Sequence, residues 1–404
     1  MFYAGIDIAK NKHEATVIDS AGKSLLDSLP FSNSREGCEK LLELFQRLGV
    51  VREDVLVGME ATGHYWLSVY SYLVDLGYDV KVINPIQSEA FRKMYIRQTK
   101  NDSKDSFIIA QIMRFGQFSA TTLSEENLVA LRQLSRYRLA LVDTCGDCKR
   151  RVIALLDQVF PEYDALFSDT FGVTSKEVLL KYPTPEDMLT VSTQKLAGLL
   201  SKSSKGRLGE EKARELKEAA AGSFGVVFAK DAFAFQIRQL IEQVLFLEKQ
   251  IGELEARISK LLHQTNQVIT TIPGIGDTLG AIILSEIGDI HRFDAPGKLV
   301  AFAGLDVKVA QSGEFNGTRQ KISKRGSPYP RRAIWLAASR AAFCDPILSE
   351  YYQGLRSRGK HHLTAVGAVA RKLCNIIFVI LRENRPYEPS PPNFNRHFSA
   401  KSTT

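Results

Sequence analysis

The chain lacks the patterns that would place it outside the cell or in a membrane. Its 404 residues include only five cysteines, an odd and scattered set that is typical of reduced thiols. No apolar run reaches the roughly 18 residues that a membrane span needs, and the residues after Met1 do not have the pattern of a secretory signal. We therefore expect a cytoplasmic protein without a membrane partner.

One cysteine pair, Cys145 and Cys148, has the CxxC spacing of metal and redox motifs. No second pair follows at zinc-finger spacing, and both residues fall on an apolar heptad. The sequence therefore predicts core thiols at these positions.

The chain is moderately basic, with 53 Lys and Arg residues against 45 Asp and Glu and a net charge of +8. This balance alone fits any soluble basic protein. The cations concentrate, however, in an acid-free segment from Asn316 to Arg332, which also contains Tyr329. Such a segment suits phosphate backbones. Its basic residues, predicted to bind nucleic acid, are Arg319, Lys321, Lys324, Arg325, Arg331 and Arg332.

Strand and helix signals alternate over the first part of the chain, which predicts an α/β domain over residues 1–120. Beyond it, apolar residues keep a heptad spacing from Leu131 to Val159 and again from Leu240 to Leu261. Two such seams predict a middle region, 121–265, of coiled-coil helices.

The segment between the seams, 160–230, reads as loops or linkers around short helices, without recognisable chemistry. A mostly α-helical domain is expected over 266–384, from helical signals near 277–287, 329–342 and 362–382. The Pro-, Ser- and Asn-rich tail, 385–404, is expected to be disordered.

Four acidic residues occur in an order that suggests a site. Asp7 and Glu60 each end a short apolar run, so both would lie at the carboxyl ends of strands, where open α/β sheets place their sites. Asp102 and Asp105 have the i, i+3 spacing that puts two side chains on one helix face. Clustered carboxylates repel one another unless a cation neutralises them, which predicts a divalent metal site.

Each acid also has an ordinary explanation. Asp7 could be structural, Glu60 could cap the next helix, and Asp102 could be the N-cap in a solvated turn. His64 could be a ligand or a base, although such a residue more often packs against its aromatic neighbours. GIDIAK also resembles the first phosphate loop of the actin-like sugar kinases, but GLDV and IGDI match the required second loop poorly.

Two glycine-containing segments lie in the last third of the chain. Ile272 to Gly276 is typical of a helix-hairpin-helix element, in which Gly274 and Gly276 would let backbone N–H groups approach phosphates. The alternative is a tight turn. Further on, Ser312 precedes Gly313 just before the basic segment. A serine hydroxyl close to cations can attack a phosphodiester, although composition alone favours a turn serine.

The ordered set of motifs resembles the DEDD transposases of the insertion-sequence 110 group, the bridge-RNA-guided recombinases. The resemblance covers most of the chain. It rests on GIDIAK, GMEATGHY and KNDSKDS, the seam helices, and then PGIG, EIGDIHRF, AGLD, QSG and ISKRGS. Val307 stands where the family often has Pro, and Pro330 where it often has Leu. Neither departure removes a proposed catalytic group.

The resemblance implies a ribonuclease-H/RuvC-like amino-terminal domain in which Asp7, Glu60, Asp102 and Asp105 bind Mg²⁺, with Mn²⁺ as a possible substitute. It also implies that Ser312 of the carboxy-terminal transposase domain becomes covalently joined to DNA, in a site that both domains build. The implied partners are donor and target DNA, a noncoding bridge RNA, and further copies in a dimer to tetramer. The implied location is the cytoplasm, on nucleoid DNA.

Two other functions stay open on the residues alone. One is a hydrolytic Mg²⁺-dependent nuclease of the Holliday-junction resolvase type, in which water attacks the phosphate. The other is a non-catalytic nucleic-acid-binding scaffold, although a scaffold has no need of clustered carboxylates next to phosphate.

Overall fold

The computed structural model divides the chain into two compact units, Met1–Leu123 and Ser124–Thr404. Each unit has its own hydrophobic core. The described residues are 1–61, 64–83, 88–89, 91, 102–116, 118, 120–121, 126–307, 311–312, 315–316 and 322–389; at 102–104, 120–121, 311–312 and 315–316 only the backbone is described.

The first unit is built on a six-stranded mixed sheet with the order β3-β2-β1-β4-β5-β6. Its strands are β1 (Phe2–Asp7), β2 (Lys12–Ile18), β3 (Ser24–Ser32), β4 (Val55–Glu60), β5 (Asp79–Ile83) and β6 (Ala120–Thr121). β1 pairs antiparallel with β2 and parallel with β4. The predicted alternation of strand and helix is confirmed. β3 was not predicted from the sequence. It is an edge strand, and its polar residues and Pro30 weaken the strand pattern.

In the described part of this unit, three helices pack on the sheet: α1 (Arg35–Arg47), α2 (Trp66–Asp75) and α3 (Asp102–Phe115). α1 begins after Ser34, whose hydroxyl accepts a hydrogen bond from the Gly37 amide at 3.2 Å. α1 and α2 share a core with the face of the sheet that carries Ile6 and Val57. α3 packs with Leu56, so it covers the opposite face.

α3 approaches the sheet closely because two paired glycines, Gly5 of β1 and Gly58 of β4, stand beneath it. A Cβ atom on Gly5 would overlap the backbone of Ser106 and Ala110, and one on Gly58 would lie 2.5 Å from Cγ of Met113. The helix backbone therefore occupies the space that a side chain on β1 would need.

His13 is a fully buried histidine in β2. Its Nδ1 accepts a hydrogen bond from the Ala9 amide at 3.2 Å, and its ring packs edge-on against Phe31 with centroids 5.1 Å apart. In the part of the chain that the structure describes, Nε2 has no hydrogen-bond partner. Burial lowers the pKa of His13, against a smaller opposite effect of the Asn33 side chain.

Where it is described, the second unit is almost entirely helical, apart from the two-stranded pair β7 (Gln311–Ser312) and β8 (Phe315–Asn316). Its helices are α4 (Glu126–Val159), α5 (Val173–Lys181), α6 (Pro185–Thr190), α7 (Thr193–Ser204), α8 (Glu210–Ala221), α9 (Lys230–His263), α10 (Asp277–Ile287), α11 (Pro296–Phe302), α12 (Pro328–Cys344), α13 (Pro346–Ser357) and α14 (His362–Glu383).

The long helices α4 and α9, which carry the two predicted seams, pack antiparallel. Leu131, near the start of α4, shares a buried cluster with Ile258, near the end of α9. Further along, Cys145 and Cys148 pack with Val244. The prediction of core thiols is therefore confirmed, since both cysteines are free and buried.

The predicted seam of α4 is only partly matched. Leu139 and Leu156 are buried, whereas the predicted seam residues Leu134, Leu141 and Leu155 are half-buried. The buried face is displaced because α4 packs on α10 as well as on α9.

The middle segment is more ordered than loops or linkers. Residues 160–230 contain helices α5 to α8, which share a core with α4 and α9 around the buried Tyr163 and Leu216. The Tyr163 hydroxyl lies 3.0 Å from the Ser175 hydroxyl within that core. The polar stretch SKSSKGR ends α7, where Lys205 and Gly206 adopt positive φ. Its composition marked this turn, and the short helices expected in the segment are present as α5 to α8.

The remaining helices, α10 to α14, share one core. α14 is the one described helix long and apolar enough to cross a membrane, and 56% of its most apolar window is buried in the unit. Its apolar character therefore has an explanation in core packing against α11, α12 and α13. The helical signals near 277–287, 329–342 and 362–382 are confirmed.

The start of the predicted disordered tail is packed against the second unit. The Tyr387 hydroxyl donates to the buried Asp345 carboxylate at 2.8 Å, and the Tyr387 amide donates to Thr271 Oγ1 at 2.8 Å. Disorder is therefore wrong for 385–389, because Tyr387 finds partners that composition does not reveal. Residues 390–404 lie outside the described residues.

Gly5→Ala should destabilise the first unit by about 3 kcal/mol or more, because the new methyl group meets backbone rather than a flexible side chain. Gly252→Ala is the matched control, since Gly252 is exposed in α9 with open space around it and should gain about 0.5–1 kcal/mol. Urea denaturation would measure both. Equal stability of the Gly5 variant and the parent would contradict the close packing.

His13 should make stability depend on pH. Because its folded pKa is lowered, the unfolded chain binds the proton first, so stability is complete above about pH 6.5 and falls as the pH drops below it. The slope can reach about 1.4 kcal/mol per pH unit. His13→Asn keeps an acceptor for the Ala9 amide and should flatten this slope in calorimetric melts, whereas substitution of the exposed His291 should not.

Candidate functional site

Asp7 and Glu60 are neighbours at the carboxyl edge of the sheet. Each is the last residue of its strand, β1 or β4. The two strands are parallel with Ile6 opposite Met59, so the next position along places Asp7 beside Glu60. Adjacent strands lie about 4.8 Å apart. This confirms that both acids end strands.

Both carboxylates belong to the face of the sheet that α3 covers. Side chains alternate along a strand, so Asp7 shares a face with Gly5, and Glu60 shares one with Gly58. That glycine pair lies directly under α3. Glu60 accepts a hydrogen bond from the Ser88 hydroxyl at 2.7 Å, and Ser88 is buried.

The direction of α3 brings its first turn toward the same edge. Its carboxyl-terminal part lies by the loop between β2 and β3, where the side-chain amide of Gln111 donates to the Gly22 carbonyl at 3.4 Å. That loop is at the amino end of β1, because Ile18 pairs with Tyr3. α3 is thus antiparallel to β1, with its amino end toward Asp7.

Asp105 lies in this first part of α3 and is 8% exposed. The next residue, Ser106, is hydrogen-bonded through its hydroxyl to Thr16 Oγ1 at 2.7 Å, which fixes this turn over β2. Asp102 is the first residue of the helix, and its side chain is outside the described part. The fold therefore brings Asp7, Glu60 and Asp105 to one face and one edge.

The position of these acids at one edge of the sheet does not by itself make a metal centre. Among the described side chains, no three His, Cys, Asp or Glu residues form a group that could hold a metal ion. The metal role of Asp7, Glu60, Asp102 and Asp105 stays a prediction. His64, after Glu60, is exposed and packs against Tyr65 with ring centroids 4.2 Å apart.

A further acid on this face, Glu14, was missed from the sequence. It stands opposite Asp7 in the antiparallel pair and therefore on the same face. Its carboxylate accepts a hydrogen bond from Ser28 on β3. The sequence contained a signal for Glu14. Side chains in HEATV alternate between the two faces of a strand, and Glu14 and Thr16 fall on the same face.

The two hairpin glycines have different surroundings. Gly274 has φ +92°, and a Cβ on it would lie 2.8 Å from the Ala337 carbonyl of α12, so helix packing explains this glycine. Gly276 has open space around it and precedes α10. Asp277 occupies the first turn of α10 and interacts with His263 at 3.1 Å. This carboxylate would oppose a phosphate there.

The predicted basic residues also differ in their surroundings. Lys324 and Arg325 are exposed. Arg331 donates to the Gly326 carbonyl at 3.3 Å. Arg332 pairs with Asp143 of α4 at 2.8 Å, and this pairing raises the pKa of Arg332. Arg331 and Arg332 thus have structural partners, and their binding of nucleic acid stays a prediction.

Three predicted functional residues of the second unit are described little or not at all. Arg319 and Lys321 lie outside the described residues. The backbone of Ser312 pairs with Phe315 in the two-stranded element β7–β8, while its side chain is not described.

Comparison with known proteins identifies the family. Residues 4–161 match a family described as transposase, and residues 266–353 match the transposase IS116/IS110/IS902 family. The chain belongs to the IS110/IS116 family of transposases. The resemblance seen in the sequence motifs is confirmed at this level, and this transposase is a DNA transposase or recombinase.

Similar proteins match nearly the whole length of this transposase. The insertion element IS110 43.6 kDa protein of Streptomyces coelicolor is 25% identical over 397 residues, covering 96% of each chain. The insertion element IS900 42 kDa protein of Mycobacterium paratuberculosis is 26% identical, covering 96% of this chain and 97% of that one. A pilin gene-inverting protein of Moraxella bovis is 24% identical over the same shares of the two chains.

Proposed function

We propose that this transposase cuts and exchanges DNA strands through a covalent phosphoserine intermediate formed on Ser312. The observation that carries the proposal is the position of Asp7, Glu60 and Asp105, which lie on one face of the sheet and at its carboxyl edge. These acids come from two strands and a helix far apart in sequence.

The donor chemistry of this edge fits a divalent cation. Carboxylate oxygens are the hard ligands that Mg²⁺ and Mn²⁺ prefer, and family membership is consistent with divalent metal use. Asp7, Glu60 and Asp105, together with Asp102, would hold the ion. When bound, such an ion stabilises charge on a phosphate and on an attacking oxygen.

The chain's own residues would supply the nucleophile and the grip on DNA. Ser312 Oγ loses its proton and forms a bond to phosphorus, while the bond from phosphorus to the leaving strand oxygen breaks and that oxygen takes up a proton. Attack by another strand's hydroxyl reverses the step and frees Ser312. The number of phosphoester bonds is unchanged, so no external energy source is required. Lys324 and Arg325, with Arg319 and Lys321, would hold the backbone.

The finer assignments rest on the family resemblance. We propose a RuvC-like fold for the first unit, supported by the mixed sheet with acids at its carboxyl edge, and a coiled coil for α4 and α9. We propose donor and target DNA as substrates, a bridge RNA as guide, a dimer to tetramer as the working form and the cytoplasm as its location. Sequencing RNA that copurifies with the protein tests the guide, because random cellular RNA would contradict it.

Ser312→Ala should abolish the covalent protein–DNA adduct and strand exchange while leaving DNA binding intact, because only the nucleophile is lost. Denaturing gels of trapped reactions would measure the adduct. Ser327→Ala is the matched control, since Ser327 lies in the basic segment and makes no capping hydrogen bond with its side chain. An adduct that persists, or cleavage without an adduct, would contradict the proposal; the latter would favour the hydrolytic nuclease.

Mg²⁺ or Mn²⁺ should stabilise the parent protein by about 1.4 kcal/mol at ten times the dissociation constant. Glu60→Gln should lose most of this gain, because it removes a charged ligand. Asp54→Asn is the control, since Asp54 is exposed at the other end of β4. Thermal melts with and without metal would measure the difference. Equal gains in the Glu60 variant and the parent would rule out the metal site.

A further inference from the structure

A group of arginines stands on the second unit outside the segment predicted to bind nucleic acid. Arg132 and Arg136 are one helical turn apart on α4 and therefore share a face. Arg132 donates from Nε to the Ser285 carbonyl at 2.7 Å. Arg136 donates to both carboxylate oxygens of Glu286, at 2.6 and 3.0 Å. Both arginines thus meet the end of α10.

Arg136 is held in one position by its surroundings. Its partner Glu286 is 6% exposed, so the pair is anchored in the core. The guanidinium also stacks 4.5 Å from the ring centre of Tyr329, the aromatic residue of the basic segment. Glu286 neutralises the charge of Arg136. Arg136 is therefore fully explained as a structural link between α4 and α10.

Arg292 forms no ion pair among the described residues, although Asp289 and Glu286 attract its charge. Its guanidinium lies 4.6 Å from the ring centre of Phe293 and 4.7 Å from that of Phe302. The residues that the structure describes offer its N–H groups no hydrogen-bond acceptor within reach. Burial lowers the pKa of Arg292, and repulsion by Arg132 lowers it further. Two arginines thus stand near each other although their charges repel.

Arg132 adds a second incompletely used guanidinium. Only its Nε has a hydrogen-bond acceptor among the described residues, the Ser285 carbonyl. Burial lowers the pKa of Arg132, Glu286 acts in the opposite direction, and Arg136 repels it. Glu286, which pairs with Arg136, and Asp289 are the carboxylates that act on this group, so three arginines face two acids and an excess of positive charge remains. An anion would offset this repulsion.

This arginine group is continuous with the predicted basic segment. The Ser327 amide donates to the Phe302 carbonyl at 2.9 Å, and the Lys324 amide donates to the Gly304 carbonyl at 3.1 Å. The strip from Phe302 to Gly304 therefore runs between Arg292 and the exposed Lys324 and Arg325. The backbone of the basic segment is thus joined to the residues that follow the Phe302 ring on which Arg292 stacks.

We propose that Arg132 and Arg292, held by the Arg136–Glu286 pair and by the Phe293 and Phe302 rings, bind phosphates of the DNA backbone and extend the basic segment of the second unit. DNA is the partner to which a transposase of this family is committed, and fixed guanidinium groups suit phosphate oxygens. The proposal depends on DNA binding and is independent of the chemistry proposed for Ser312.

The test measures binding of the full chain to a duplex DNA of random sequence and to a duplex RNA of equal length, over a range of salt concentrations. Arg292→Gln should weaken DNA binding about 5-fold to 10-fold and reduce the slope of log K against log salt by about 1, because one phosphate contact is lost. Arg292→Lys keeps the charge and should retain the slope. Arg132→Gln should behave like Arg292→Gln.

Lys372→Gln is the matched control, because Lys372 stacks 4.7 Å from the ring centre of Tyr351 elsewhere in the unit and should not affect binding. Thermal melts check that each variant is folded; if Arg132→Gln unfolds, the two Arg292 variants decide. An unchanged salt slope in Arg292→Gln, or a loss confined to RNA, would overturn the proposal. Neither outcome depends on covalent adducts, so failure of the Ser312 mechanism would be seen separately.

Discussion

The close packing of α3 on Gly5 and Gly58 is the constraint on which the candidate site depends. With no side chain between helix and sheet, the backbone at Ser106 rests directly on β1. The helix is thereby fixed in height and direction, and Asp105 is carried to the edge where Asp7 and Glu60 end their strands. A larger residue at either glycine would lift the helix and separate the acids. The site is thus a consequence of interior packing.

In the second unit, ion pairs of arginines fix the positions of helices, as the paired glycines do in the first. The pair of Arg136 with the buried Glu286 joins the long helix α4 to α10, and Arg332 with Asp143 joins α4 to α12. A buried carboxylate needs such a partner, since an unpaired one would cost several kcal/mol. Arg292 and Arg331 are held in turn by an aromatic ring and a backbone carbonyl. Arginine side chains in this unit therefore support the fold.

Prediction from sequence succeeded where the signal was local. Apolar periodicity located the strands ending at Asp7 and Glu60 and the long helices, because period and length survive in any context. It failed where partners are distant. The core of residues 160–230 depends on contacts of α5 to α8 with α4 and α9, and Tyr387 is ordered by Asp345, more than 40 residues away. Local composition carries no record of such partners.

The sequence alone determined the chemical inventory and the family: four acids in order, a glycine-flanked serine, a basic segment, and motifs whose order matches known transposases. Only the tertiary structure decided which of these residues share a face. It brought Glu14 beside Asp7, gave Gly274 a packing role, tied Arg331 and Arg332 to the fold, and placed Arg292 against the rings of Phe293 and Phe302. The reason is physical, since side-chain identity fixes what a residue can do, whereas register and helix packing fix what it can meet.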